Sequence, residues 1–222
     1  MAWAALSGRR VVAHHGIQRS ATNYLLQCLK SLEVPVANAI DPARDQPRHK
    51  HFRWSRKKGA IPPFIRHQFG NTIYVESVEE LNAAASYPHW VRHVVVRKDR
   101  RKWLKSILNW GLKCDWFADK EEALGSAAAL LADYDAYYGF WEEIERRAPD
   151  QVALLPFEKL VANPMVLKDV LDGLGVPYNE TGYTGVFDEV PMSPKERPTV
   201  VLQEDVDRLL DAGAADGAAI LG

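Results

Sequence analysis

From Val11 to Thr22 the chain reads VVAHHGIQRSAT, and its polar residues are of the kinds that hold an anion. Arg19 supplies a cation and Ser20 a hydroxyl donor, and Gly16 is free to take a positive φ angle. The apolar run Val11-Val12-Ala13 ahead of them predicts a buried strand. Behind them Tyr24, Leu25, Cys28, Leu29 and Leu32 recur at three- and four-residue spacing, which predicts a helix. Strand, turn and helix together aim backbone N–H groups and the positive helix end at one point, an arrangement suited to phosphate. Gln18, Ala21, Thr22 and Asn23 complete the turn and the helix entry.

A second unit of the same kind lies at WVRHVVVRKDRRKWLKSILNW. Trp90–Arg97 predicts a strand, KDRR a basic turn, and Trp103, Leu104, Ile107 and Leu108 the apolar side of a helix. Arg97 falls at the carboxyl end of a buried strand, where open α/β sheets bind ligands. A third strand is expected at Val152–Pro156, followed by FEKLVANP and a helix from about Pro164 to Leu174 that stops at Gly175.

Stepping outward, Val78–Ala85 reads as a short helix, Glu121–Arg147 as one long amphipathic helix, and Glu204 onward as a terminal helix. Asn71–Val75 allows a short strand, whereas the stretch from Val34 to Phe64 is rich in proline and charge and reads as loop. Strands that alternate with helices imply a three-layer α/β/α fold with a mainly parallel central sheet. With 222 residues and 47% hydrophobic content, the expectation is a single domain spanning 1–222.

Composition narrows the function. Net charge is only −1, yet residues 44–58 and 92–105 each hold seven basic side chains, half of the 28 in the chain. Such concentration points to a local anionic ligand rather than a nucleic-acid surface. No long apolar run predicts a membrane span, and the N-terminus does not read as a signal peptide. Cys28 and Cys114 form no CxxC pattern, which argues for free thiols in a reducing, cytoplasmic compartment and against zinc.

A nucleoside-triphosphate loop, GxxxxGK[ST], is the first candidate for the opening turn, and the sequence fails it. After Gly16 come Ile17, Gln18, Arg19, Ser20, Ala21 and Thr22, without a second glycine or a lysine. Acid–base chemistry at neutral pH would fall to a histidine, and His14, His15, His49 and His51 are the candidates.

Three motifs in order resemble those of the sulfotransferase family. HGIQRSATNYLLQCL resembles its 5′-phosphosulfate-binding loop, VVVRKDRRKWLKSILNW its 3′-phosphate-binding segment, and LLPFEKLVANP its third recurring element. The resemblance covers roughly residues 9–175. It implies a P-loop-nucleotide-hydrolase-like fold and 3′-phosphoadenosine-5′-phosphosulfate as donor. The acceptor would be the hydroxyl or amine of a small molecule or carbohydrate, and no metal would be required. Carried over by position, Arg19 bridges donor phosphate and transferring sulfate, and Ser20 and Thr22 donate to the 5′-phosphate. Tyr24 holds the place of an adenine-stacking aromatic. Arg97 and Ser106 clamp the 3′-phosphate, and Glu158 is a structural carboxylate. The Lys50-His51 pair matches the family's base in type and chain position, so His51 is the expected base and His49 the second candidate.

The chain departs from the pattern in four places. Ala21 replaces the usual glycine, Arg97 and Ser106 stand nine apart instead of eight, and the proline after the arginine is absent. At the C-terminus only Lys195 and Arg197 stand in for the usual basic triplet. A P-loop-like kinase or other phosphotransferase, an inactive family member and an RNA-binding adaptor are the competing readings. The acceptor would be shaped by residues 38–70, 112–122 and 178–199.

Overall fold

A computed structural model describes residues 9–55, 72–181 and 199–219, with side chains as far as 211. In chain order its elements are β1 (Val11–His15), α1 (Thr22–Ser31), β2 (Trp54–Ser55), β3 (Ile73–Tyr74), α2 (Val78–Ala84), β4 (Val91–Arg97), α3 (Arg100–Lys113), α4 (Lys120–Gly125), α5 (Ala127–Arg147), β5 (Val152–Pro156), α6 (Phe157–Ala162), α7 (Val166–Gly173) and α8 (Gln203–Ala219).

The fold is α/β with a parallel sheet. β4 lies between β1 and β5, with Val11 opposite Val91, His15 opposite Val95, and His93 opposite Val152. The strands are mostly apolar because both faces of the sheet are covered, and the histidines they carry, His14, His15 and His93, are buried. Val11, Ala13, Val91, Val95 and Val152 point into one core, with Trp103, Leu104 and Leu108 of α3 and Tyr134, Tyr138 and Trp141 of α5. Their neighbours Val12, Val94, Val96 and Leu155 point into the other, with Leu25, Cys28 and Leu29 of α1 and Leu167 and Leu171 of α7. Helices therefore flank the sheet on both sides, as the alternation of elements predicts and as a three-layer α/β/α arrangement requires.

After α1 the chain returns on the outer side of β1, where Val12 donates to Pro35 O at 3.0 Å and Ala37 donates to Val12 O at 2.7 Å. β1 is thus flanked by a segment on one side and β4 on the other, reached in opposite directions. Its carboxyl end is the kind of reversal point at which open α/β sheets form a ligand crevice.

Four local expectations need correction. Gly16 does not take a positive φ; Arg19 and Ala21 do, at 68° and 73°. Glycine is required at position 16 for space, since a Cβ there would meet Ser20 Oγ at 2.4 Å and Thr22 Cγ2 at 2.8 Å. The long helix from Glu121 is two helices, because Gly125 weakens the turn and the Ser126 hydroxyl donates back to Glu122 O at 3.0 Å. Within the expected loop, Trp54–Ser55 forms a strand that pairs in parallel with Ile73–Tyr74, and Trp54 is buried. Phe157–Ala162 is helical as well. Lys195 and Arg197 lie outside the described residues.

No helix among the described residues is long and apolar enough to cross a membrane. No cluster of three or more His, Cys, Asp or Glu among them could hold a metal ion.

Candidate anion-binding site

β1 ends at His15, and the turn Gly16–Ala21 carries the chain up to α1. The turn is closed by Ser20 N–H donating to Ile17 O at 3.0 Å. Two residues in the left-handed region, Arg19 and Ala21, bracket Ser20. A Cβ in that region costs about 1–2 kcal/mol, a strain that persists only where the surroundings impose it.

Here the surroundings do so from three sides. Trp103 Nε1–H on α3 donates to Gln18 O at 2.8 Å. Gly16 N–H donates to Lys50 O at 3.1 Å, and His51 Nδ1–H donates to Gly16 O at 2.6 Å. The turn is therefore held rigid from outside.

What the turn presents is a set of unused donors. Ala21 is the N-cap of α1 and has no side chain to cap it. Among the described residues no acceptor meets the N–H groups of Ala21, Thr22 or Asn23, although the first turn of any helix leaves such donors open. The Ser20 hydroxyl is fully buried and meets no partner in good hydrogen-bond geometry among the described residues. It nevertheless lies close enough to the Tyr138 phenol to oppose the rise that burial imposes on that group's pKa. A buried hydroxyl without a partner, beside open N–H groups and the positive end of a helix dipole, is an acceptor-seeking site.

Positive charge converges on the same edge. Arg19 Nε–H donates to Ser106 Oγ at 3.4 Å, and its guanidinium lies 4.7 Å over the Trp110 ring. Arg19 is exposed as a residue, yet partial desolvation of its guanidinium lowers its pKa. The Lys98 ammonium is also lowered, by burial first and then by the charges of Arg19, Lys102 and Lys105, against which Glu158 pulls upward. Four cations, Arg19, Lys98, Lys102 and Lys105, crowd this edge and repel one another, so an anion entering there relieves their repulsion.

The residues of the second unit divide between the site and the scaffold. Ser106 meets Arg19, as above. Arg97 turns away toward α5, where it pairs with Glu142, donates to Tyr134 Oη at 3.3 Å and lies over the Tyr138 ring. Lys98 stands eight positions before Ser106, the interval that Arg97 misses by one. Lys98, Lys102 and Lys105 enter the sequence reading only as part of a basic segment suited to a local anionic ligand, and Trp110 is not among its site residues. The signal was present in the four-residue steps from Lys102 to Ser106 to Trp110 on one side of a helix. Glu158 accepts the Asp99 N–H through both oxygens, at 3.1 and 3.2 Å, and so ties α6 to the β4–α3 turn. Tyr24 lies at the rim, its ring edge-on to Phe157 at 5.7 Å. Asn23 Oδ1 accepts from Lys50 Nζ at 2.9 Å, and Asp41 pairs with the same ammonium at 2.5 Å.

The four histidines are separated by their hydrogen bonds. A carbonyl only accepts, so His51 carries its proton on Nδ1 and leaves Nε2 unprotonated. His49 Nδ1 accepts the His51 N–H at 3.1 Å, which places its proton on Nε2 and makes that nitrogen a donor. His14 is committed to Asn38 Oδ1 at 2.8 Å. His15 Nε2 meets His93 Nδ1 at 3.0 Å, and His93 Nε2 meets Asn82 Oδ1 at 3.0 Å, a chain of buried rings beneath Trp141. Burial holds His14 down to about 4 and His93 down to about 3, and lowers His15 and His51 well below the ordinary value. All are neutral at pH 7. His51 is only half-buried, unlike the other three, and it combines that exposure with an unprotonated nitrogen beside the turn.

Compared with known proteins, the chain matches no family model, no curated protein and no solved structure.

Proposed function

We propose that this protein is a sulfotransferase that uses 3′-phosphoadenosine-5′-phosphosulfate as donor and transfers the sulfuryl group to a hydroxyl or amine of a small molecule or carbohydrate. The observation that carries the reading is the buried, unbonded Ser20 hydroxyl at an uncapped helix N-terminus, set beside the cluster of Arg19, Lys98, Lys102 and Lys105. Together these give one backbone-lined anion pocket and, along α3, a second cationic one, which suits a nucleotide with phosphates at both its 5′ and 3′ positions. The three ordered motifs favour the same donor.

In this reading Ser20, Thr22 and the open N–H groups of the turn hold the 5′-phosphate. Lys98 and Ser106 hold the 3′-phosphate, with Arg97 free to join only by leaving Glu142. The acceptor oxygen attacks sulfur, the bond from sulfur to the 5′-phosphate oxygen breaks, and the acceptor proton passes to His51 Nε2. Arg19 neutralises the charge that spreads over the sulfuryl oxygens and the leaving phosphate, the part of such a reaction where fixed cations matter most.

The test is to incubate the protein with the donor and a panel of phenols, sugars and amines. Adenosine 3′,5′-bisphosphate and a sulfated product should form in equal amounts with at least one acceptor class. Magnesium-dependent turnover of ATP with none of the sulfate donor would replace the proposal with the phosphotransferase reading.

A further inference from the structure

Every polar group of His51 except Nε2 is committed: its N–H to His49, its Nδ1–H to Gly16, and its carbonyl to Arg53 Nη1 at 3.0 Å. The last of these is tied to a feature of the core that the chemistry above does not use. Arg53 makes a two-pronged ion pair with Asp133 on α5, Nε to Oδ1 at 3.2 Å and Nη2 to Oδ2 at 2.8 Å. Both side chains are only 6% exposed, and the guanidinium lies 5.1 Å over the Tyr137 ring.

We infer that the Arg53–Asp133 pair is a positioning device for His51. It fixes the main chain of the His49–Trp54 segment to α5, so that the ring keeps one tautomer against the anion-binding turn. The inference rests on His51 being the base of the proposed reaction.

The physical argument begins with cost. Taking two opposite charges out of water costs more than their attraction returns unless the geometry is good, and apolar residues of the same size pack equally well. What the pair adds is direction. A fork of parallel N–H donors on a carboxylate admits one arrangement, and the remaining Nη1–H then has to lie where His51 O accepts it. Among the described residues the segment is bonded to the turn itself through Gly16, which donates to Lys50 O and accepts from His51 Nδ1–H. Burial pushes the Asp133 carboxyl up while Arg53 draws it back, so the carboxylate depends on the guanidinium to stay charged.

Two variants test this. Arg53→Lys keeps the charge and loses the fork; Arg53→Met combined with Asp133→Leu replaces the pair with apolar residues and keeps a packed core should the first fail to fold. Arg100→Lys, in the exposed pair with Asp135, is the control. Nitrogen NMR of histidine-labelled protein reads the His51 tautomer directly, without substrate. The wild type and the control should show a single Nδ1–H form, and both pair variants a mixture of tautomers. In the transfer assay the pair variants should lose about tenfold or more in kcat, with donor KM within about twofold and a displaced acidic limb of the pH profile. A folded pair variant that keeps the single tautomer and the wild-type pH profile overturns the inference. A protein that transfers no sulfuryl group overturns the proposed function instead, and the tautomer signal still decides whether the pair positions His51.

Discussion

The molecule contains two units of the same plan, β1–turn–α1 and β4–turn–α3, side by side in one sheet, and they solve the problem of the open helix end in opposite ways. At the second, Asp99 caps α3 by accepting the Lys102 N–H at 3.0 Å, and Glu158 takes up the Asp99 N–H. Two of its backbone donors, the Asp99 and Lys102 N–H groups, are thus taken up within the protein, and what it mainly offers a ligand is side chains: Lys98, Lys102, Lys105 and Ser106. At the first, the N-cap is an alanine held in the left-handed region, and the donors are left for something else. Two superficially similar turns thus provide a backbone cradle and a cationic wall. A ligand with anionic groups at two points uses both.

The sharpest way to break the comparison is to remove the charged side chain that links the two units. Arg19→Ala is expected to lower turnover by about 10²–10³-fold while leaving the melting temperature close to that of the wild type, since this side chain is exposed. Lys98→Ala should act on nucleotide affinity instead. Arg97→Ala should act on neither as strongly, because its partners lie on α5. Steady-state kinetics with parallel thermal melts separates the three.

The strands beneath the turns share a sensitivity to acid. His14 on β1 and His93 on β4 are buried neutral, at about 4 and about 3. In the unfolded chain each takes up a proton near the ordinary value of 6.5, so the unfolded state binds more protons as pH falls. Stability is therefore complete above about pH 6.5 and is lost downward toward pH 4, at about 1.4 kcal/mol per pH unit for each such histidine. Urea unfolding between pH 7 and pH 4 measures it; a flat profile would contradict the neutral, buried assignment.

Ser20→Ala sharpens the contrast between binding and folding. Among the described residues the hydroxyl has no partner in good hydrogen-bond geometry, so its loss should change stability by no more than about 0.5 kcal/mol. A hydrogen bond to a charged phosphate is worth about 1.5–3 kcal/mol, and nucleotide affinity should drop accordingly. The smallest effects come from the caps themselves. Ala21→Gly should stabilise the fold by about 1 kcal/mol by relieving the φ of 73°, whereas Asp99→Ala should destabilise it by about 1 kcal/mol through loss of the cap. Chemical denaturation of the pair shows whether opposite signs are found.

The sequence shows the strands and the turns plainly, because a sheet buried on both faces favours apolar runs such as Val11-Val12-Ala13 and Val94-Val95-Val96, and the turn between β1 and α1 is built of small and polar residues. It also marks Arg19, Ser20 and Ser106, which the fold brings to one edge. The helix break at Ser126 and the short β2 strand were hidden for different physical reasons. The first turns on a hydroxyl bonding back into its own helix, a competition that periodicity does not register. The second depends on Arg53 reaching Asp133, eighty residues on, across the core. The direction of Arg97 was equally out of reach: strand alternation puts it on the face covered by α5, and only the packed structure shows Glu142 waiting there. Which of four histidines keeps an unprotonated, accessible nitrogen is settled by acceptor geometry that no linear pattern carries.

The central claim is that the β1–α1 turn and the α3 wall together hold a nucleotide phosphorylated at both ends. Titration calorimetry with adenosine 3′,5′-bisphosphate, AMP and ATP tests it most directly. The account predicts that the bisphosphate binds at least tenfold more tightly than AMP, about 1.4 kcal/mol or more for the added 3′-phosphate, and more tightly than ATP. Equal affinity for all three nucleotides would contradict it.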